Sequence, residues 1–183
     1  MELTWILVGV IALVLFWLIL TYNSLITGRN RVEEAWSDIE VQMKRRYDLI
    51  PNLVNTVKGY AKHEEGVFTK VTEARTAAMG ARTMKDHAAA ENQLSDTLKS
   101  LFAVAENYPQ LQAAESFLHL QHELTDAEDK ISSSRRFYNG NVRDYNTKLQ
   151  VFPTNLITNM FGFVKHDFFD APDVELQKPE VQF

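Results

Sequence analysis

The chain has 183 residues, a formal net charge of −5 and no cysteine. The acidic balance argues against a nucleic-acid-binding protein, because such a protein needs a basic face to neutralise phosphates. The lack of cysteine excludes disulfides, thiolate zinc sites and a cysteine nucleophile. Seven glycines and five prolines are too few for a low-complexity or collagen-like chain, and the abundant Ala, Leu, Glu, Gln and Lys favour helices.

An apolar stretch, residues 3–22, opens the chain, and residues 3–20 carry no charge. As a helix it would be about 27–30 Å long, enough to cross a hydrocarbon core of about 30 Å. A cleaved signal peptide is the alternative, but only Glu2 precedes the apolar run as a charged residue, and no small-x-small cleavage site follows Tyr22. The stretch therefore predicts a single-pass transmembrane anchor. Its predicted membrane residues are Trp5, Ile6, Leu7, Phe16, Trp17, Leu18 and Tyr22.

The charges beside the anchor predict its orientation. Residues 1–2 offer only the α-amino group and Glu2, whereas Arg29 and Arg31 follow the apolar stretch closely. Because Lys and Arg near a span stay on the cytoplasmic side, we expect the N-terminus outside and the rest of the chain in the cytoplasm.

Apolar residues after the anchor recur at steps of three and four, the spacing of one helix face. The first helix of the folded region is predicted from 23 to about 60, and a kink at Pro51 is favoured over a new helix capped by Asp48. A second helix is predicted over 64–82, and a third is capped by Thr83 and runs to about 107. Pro109 is predicted in the first turn of a fourth, long helix that ends near 149.

These helices predict an all-α fold in which the transmembrane helix continues into a cytoplasmic antiparallel four-helix bundle over residues 23–149. The two long helices have similar expected lengths, about 57 and 58 Å, and each middle helix is about half as long. Two long antiparallel helices with a shorter hairpin packed against them suit these lengths. The fourth helix would then run back towards the membrane, so the segment after 149 should lie near the bilayer surface.

The segment 150–169 is rich in aromatic residues and contains a short amphipathic helix pattern. Three interpretations stay open: a cap on the bundle core, a contact between subunits, or a contact with the membrane surface. The residues predicted to make an oligomer or membrane-surface contact are Phe152, Leu156, Met160, Phe161, Phe163, Phe168 and Phe169. The tail, residues 170–183, contains two prolines and four acidic residues and is predicted to be extended.

Charged residues lie beside the apolar faces of the predicted helices, and this position predicts ion pairs between the helices. For the basic run Lys44-Arg45-Arg46, ion pairs with carboxylates on neighbouring helices are favoured over membrane or nucleic-acid contacts. Antiparallel packing would bring polar side chains of the long helices together in a network that fixes their register. The residues of this predicted network are Glu34, Asp38, Arg45, Asp48, Arg136, Asn139 and Asn146.

Two histidines, His119 and His122, lie three residues apart on the fourth helix. Two such side chains can share a face and bind zinc, but their order is not H-E-x-x-H and no third ligand is evident. A metal-dependent hydrolase is therefore a minor alternative. We expect no cofactor, no metal and no catalytic residue.

Several blocks resemble the LemA family of bacterial membrane-anchored helical proteins. The resemblance spans the whole chain, and its densest blocks are Glu34-Ala35-Trp36-Ser37-Asp38-Ile39 and Lys44-Arg45-Arg46-Tyr47-Asp48-Leu49-Ile50-Pro51-Asn52-Leu53-Val54. It implies an N-terminal membrane helix, a short exterior N-terminus of residues 1–2 and a cytoplasmic helical bundle at the bacterial inner membrane. It implies no established catalytic activity.

The predicted function is that of a non-catalytic membrane-anchored scaffold or adaptor. The aromatic content of 150–169 favours self-assembly, so the expected partners are the lipid bilayer and further copies of the chain. The alternative is a regulatory adaptor of another membrane protein, such as a metallopeptidase, or of an envelope-stress system. No nucleic-acid partner is expected.

Overall fold

The computed structural model describes residues 1–169, which are all-helical and contain no strand. This confirms the all-α class, while the predicted extended tail over 170–183 lies outside the described residues. The helices of the described chain are α1 (Glu2–Tyr60), α2 (Glu65–Gly80), α3 (Met84–Ala105), α4 (Pro109–Gln112), α5 (Glu115–Gln150) and α6 (Thr154–Phe161).

Helix α1 is a single element of 59 residues that includes both the apolar stretch and Pro51. The alternative of a new helix capped by Asp48 is therefore wrong. The buried stripe explains why the helix continues, since Ile50 and Leu53 on either side of the proline are both buried. Pro51 itself lies on the exposed side of the helix.

Helices α2 and α3 form a packed hairpin, as the apolar spacing predicted. Thr83 caps α3, and its hydroxyl accepts a hydrogen bond from the main-chain N–H of Asp86 at 3.1 Å. This confirms the predicted cap, because a threonine at this position satisfies one of the main-chain donors left free at a helix start. The buried residues of the hairpin follow the predicted spacing of three and four residues. They include Phe68, Val71, Ala74, Ala78, Leu94, Leu98 and Leu101.

The prediction of one helix from Pro109 to about 149 is wrong. Helix α4 ends after one turn, and α5 begins at Glu115. Between them the N–H of Ala114 donates to the carbonyl of Leu111 at 3.0 Å, a tighter turn than an α-helix makes. In one continuous helix, the side chains of Leu111 and Phe117 would point about 120° apart. With the tight turn between the two helices, both side chains are buried.

The described chain forms two compact units, and α1 and α5 each contribute to both. The first unit consists of residues 1–37 and 136–168, and the second of 38–135 together with Phe169. The core of the first unit contains Leu25, Val32, Ala35, Tyr138, Val142, Tyr145, Leu149 and Ile157, and that of the second contains Ile39, Met43, Ile50, Leu53, Leu94, Leu101, Ala127 and Ile131. The antiparallel four-helix topology and the domain boundaries given above stay predictions.

Within the first unit, α1 and α5 approach closely at Gly28. A Cβ atom added to Gly28 would lie 3.1 Å from Cδ2 of Tyr145. The Tyr145 ring is buried and has little freedom to move. The close packing of the two helices at this level therefore requires a residue without a side chain.

The variant Gly28→Val is expected to lower the free energy of unfolding by about 1–3 kcal/mol, because it overpacks a filled site. Thermal unfolding of the full-length chain in mild detergent, followed by circular dichroism, measures the loss. The control is Gly59→Val in the same helix, where an added Cβ atom meets nothing within 4 Å. Equal losses in the two variants would show that the Gly28–Tyr145 contact does not limit the packing.

Candidate functional site

Most of the apolar stretch of α1 is not covered by the rest of the described chain. It is long and apolar enough to cross a membrane, and none of its most apolar 18-residue window is buried. Among the predicted anchor residues, Trp17 and Leu18 are half-buried, and the exposed ones are Trp5, Ile6, Leu7, Phe16 and Tyr22. A core helix of a soluble fold would be covered, so the exposure of this helix fits a membrane location.

An aromatic cluster lies at the C-terminal end of this stretch. The ring of Tyr22 makes edge contacts with Phe161 at 5.1 Å and with Phe163 at 5.7 Å between centroids. Gly162 between the two phenylalanines ends α6 with a φ of 70°, a left-handed conformation that glycine adopts without strain. The segment after α5 therefore contacts the end of the apolar stretch.

The extended chain after α6 is held by side chains of α5. The Asn146 amide donates to the carbonyl of His166 at 2.8 Å, and its oxygen accepts the His166 main-chain N–H at 3.0 Å. The Tyr138 hydroxyl donates to the carbonyl of Asp167 at 2.9 Å, and burial raises the pKa of Tyr138. These bonds satisfy main-chain groups that have no sheet partner. They fix the segment beside the first unit's core.

A buried ion pair lies inside the second unit. Nη1 of Arg46 lies 3.3 Å from Oε2 of Glu91, and the two side chains are 3% and 1% exposed. Arg46 also donates to Ser95 Oγ at 2.8 Å, and the Tyr47 hydroxyl donates to the second oxygen of Glu91. Burial, followed by the charge of Glu91, raises the pKa of Tyr47. Both oxygens of Glu91 and both terminal nitrogens of Arg46 therefore have hydrogen-bond partners, as a buried charge requires.

The sequence prediction missed this pair, although it did predict that the basic run would pair with carboxylates. The available signal was the position of Glu91, which falls between Ala88 and Leu94 at steps of three on the buried stripe of α3. An acidic residue at such a position needs a buried donor. The same spacing points to Arg46 as the donor, since it lies three residues after Met43 and four before Ile50 on the buried stripe of α1, whereas Arg45 lies beside that stripe.

A second, partly exposed ion cluster joins α1 and α5 within the same unit. The two terminal nitrogens of Arg45 contact Glu123 at 2.5 Å and Asp126 at 2.9 Å. Lys130 contacts Asp126 at 2.9 Å from the next turn. The hydrogen bond from Arg45 lowers the pKa of Glu123, and that from Lys130 is the main cause that lowers the pKa of Asp126. Both basic side chains, Arg45 and Arg46, thus have the predicted carboxylate partners.

The residues of the predicted polar network occupy different environments. Arg45 and Asn146 have the partners described above, and Asp48 is exposed and contacts Lys44 at 3.2 Å in its own helix. The remaining members are the exposed residues Glu34, Asp38 and Arg136 and the half-buried Asn139. A single network that joins them stays a prediction.

A polar groove of about 680 Å³ lies beside the buried pair in the second unit. Its lining includes the basic residues Arg46 and Arg135 and the acidic residues Asp96 and Glu128. The Arg135 guanidinium lies 4.4 Å over the ring of Phe169, and burial lowers its pKa. Phe169, a predicted contact residue, is therefore buried in this unit and packs against a cation.

His119 and His122 are both exposed on α5. Within residues 1–169, no group of three or more His, Cys, Asp or Glu side chains is placed to hold a metal ion.

Comparison with known proteins decides the family, since the LemA family model matches residues 35–183. The chain belongs to the LemA family. The resemblance inferred from the sequence blocks is thereby confirmed.

Three relatives of this LemA-family chain are each 25% identical to it. Magnetosome protein MamQ of Magnetospirillum gryphiswaldense aligns over 95% of this chain and 75% of its own length. Magnetosome protein MamQ 2 of Paramagnetospirillum magneticum aligns over 90% of this chain and 71% of its own length. Protein LemA of Metamycoplasma hominis aligns over 84% and 70%.

The variant Glu91→Gln is expected to cost about 3–5 kcal/mol of stability, because it leaves the Arg46 charge buried without a carboxylate. Replacing both residues, as Arg46→Met with Glu91→Leu, should restore much of that loss, since an apolar pair needs no counter-charge. Urea unfolding of the full chain measures both. The control is Asp48→Asn in the exposed pair, which should cost less than about 1 kcal/mol. A Glu91→Gln loss as small as the control would contradict the buried pair.

The raised pKa of Tyr47 predicts an alkaline loss of stability. The folded protein holds this phenol neutral, so its contribution is complete below the ordinary tyrosine pKa of about 10 and is lost as the pH rises towards the folded-state pKa. Unfolding measured between about pH 9 and 11 should therefore depend less on pH in Tyr47→Phe than in the native chain. Tyr60→Phe, at an exposed position of the same helix, is the control. Identical slopes for the native chain and Tyr47→Phe would contradict the role given to burial.

Proposed function

We propose that this protein is a non-catalytic helical scaffold or adaptor, anchored by one transmembrane helix and self-assembling at the bacterial inner membrane. The observation that carries the proposal is the continuity of α1, which includes the uncovered apolar stretch and a large part of the folded core. The same helix therefore serves as membrane anchor and as structural member of the folded region.

The proposed orientation has the N-terminus outside and the helical region in the cytoplasm. Arg29 and Arg31 follow Tyr22 by seven and nine residues, about 10 and 14 Å along the helix, and both are exposed. Arg29 has one neutralising contact, with Glu33 at 3.6 Å on the exposed helix surface. Because acidic residues contribute little to the orientation rule, the two arginines support a cytoplasmic position for the helical region that follows the span.

The arrangement of the buried charges supports a structural role. Arg46 and Glu91 are satisfied by each other and by neighbouring side chains, which is how ion pairs that specify packing are arranged. The names of the three relatives are not those of enzymes. Two of these relatives are named as magnetosome proteins.

Exposed apolar side chains outside the span support self-assembly. Phe137 on α5 is 61% exposed, and Val41 on α1 and Leu118 on α5 are also exposed. Aromatic side chains, phenylalanine among them, are enriched at the centres of protein–protein interfaces relative to the rest of the surface. The proposed partners are further copies of this chain.

The test is the mass of full-length particles in lipid nanodiscs, measured by light scattering. Self-assembly predicts a defined mass several times that of the 21.0 kDa chain. Phe137→Ser should shift the particles towards smaller masses, whereas Gln121→Ser, at an exposed polar position of the same helix, should not.

One chain per particle for the native protein would overturn self-assembly. If that single chain instead co-purified in stoichiometric amounts with one other membrane protein, such as a metallopeptidase, the adaptor function would replace the scaffold.

A further inference from the structure

The most exposed apolar surface outside the span belongs to the segment 152–164. Leu156 is 61% and Met160 66% exposed, one helical turn apart on α6, and Phe152 precedes them by one more turn's length. The opposite side of α6 faces the first unit's core, where Ile157 and Thr158 are buried. The helix therefore presents a second apolar face outwards. The outward apolar face is defined as Phe152, Leu156 and Met160.

This outward apolar face lies at the level where the span ends. The Tyr22 contacts hold Phe161 and Phe163 against the last residue of the apolar stretch. Tyrosine is enriched where a span meets the headgroups, because its ring is apolar and its hydroxyl is polar. A helix fixed beside this tyrosine is therefore placed at the boundary between water and hydrocarbon.

Cationic and polar groups occur at the same level. Lys148 Nζ lies 3.3 Å from Ser24 Oγ, two residues beyond Tyr22. Next to them is a groove of about 310 Å³ that has apolar walls from Leu20 and Leu25 and a polar rim from Ser24, Lys148 and Thr154. Lys165, which follows α6, is also exposed. Apolar side chains bordered by lysines match an anionic lipid surface.

We infer that the outward apolar face of α6 is an interfacial membrane contact, inserted among the headgroups and upper acyl chains of the leaflet from which the span emerges. The inference rests on the proposed membrane anchoring and adds a second lipid contact to it. The occupant of this face is the bilayer surface, since the face is continuous with the uncovered apolar surface of the span. The chain thus enters its own leaflet at two places, the span and α6.

The absence of cysteine from the chain allows a direct test with one label at a time. Full-length Met160→Cys is labelled with the fluorophore NBD and reconstituted in vesicles of phosphatidylcholine and phosphatidylglycerol. Acyl-chain-brominated phosphatidylcholine, which quenches only by contact in the hydrocarbon, is then substituted for the unbrominated lipid. We expect the emission at position 160 to fall by about half, since interfacial helices bury their apolar face about 5–10 Å deep.

The matched control is Ser37→Cys, a conservative change at an exposed position on α1 of the same unit. Position 37 lies 15 residues, or about 22 Å along the helix, after Tyr22. Its label should keep its emission in brominated vesicles. Circular dichroism of each labelled chain checks that the helix content is unchanged.

A third label, at Leu13→Cys in the span, separates this inference from the anchoring itself. Quenching at 13 and 160 but not at 37 supports the interfacial contact. Quenching at 13 without quenching at 160 overturns the contact and leaves the anchoring intact, whether the label at 160 emits as in water or is shielded by a second copy of the chain. No quenching at 13 would overturn both.

Discussion

The structure depends first on the need to keep the apolar stretch of α1 out of water. Nothing in the described chain covers residues 3–16, and Trp17, Leu18 and Thr21 near the end of the stretch are half-buried. At about 25 cal/mol per Å² of apolar surface, exposing such a helix to water would cost on the order of tens of kcal/mol, more than a typical domain's whole stability of about 5–15 kcal/mol. A bilayer removes this cost. Since α1 continues to Tyr60, the helix that meets the lipid also organises the folded core.

Two kinds of ion pair stabilise the second unit, and burial separates them. Arg45 is partly exposed and contacts two carboxylates of α5, so solvent screens much of its contribution. Arg46, its neighbour in sequence, is buried with Glu91. There the desolvation cost is large and is offset only when every polar group has a partner. The buried pair therefore requires one arrangement of α1 and α3, whereas the exposed cluster tolerates small shifts.

The C-terminal segment shows how an extended chain is held without a sheet. Asn146 makes two bonds to the main chain of His166, and Tyr138 makes one to Asp167. Gly162 supplies the turn that brings this segment back beside α5 and the rings of its neighbours onto Tyr22. Because these polar bonds and ring contacts fix the backbone, the apolar side chains of α6 are free to face outwards.

The sequence by itself determined the elements whose cause is local. The apolar stretch, the helical spacing, the Thr83 cap and the family blocks each depend on residues near one another along the chain, and each was predicted. Tertiary structure decided which carboxylate Arg46 meets, where the helix after Pro109 is interrupted, and which face of α6 is covered. The first two outcomes involve partners distant in sequence, Glu91 for Arg46 and Phe102 for Phe117. Periodicity gives a residue's face on its own helix, but only packing against another helix determines what that face meets.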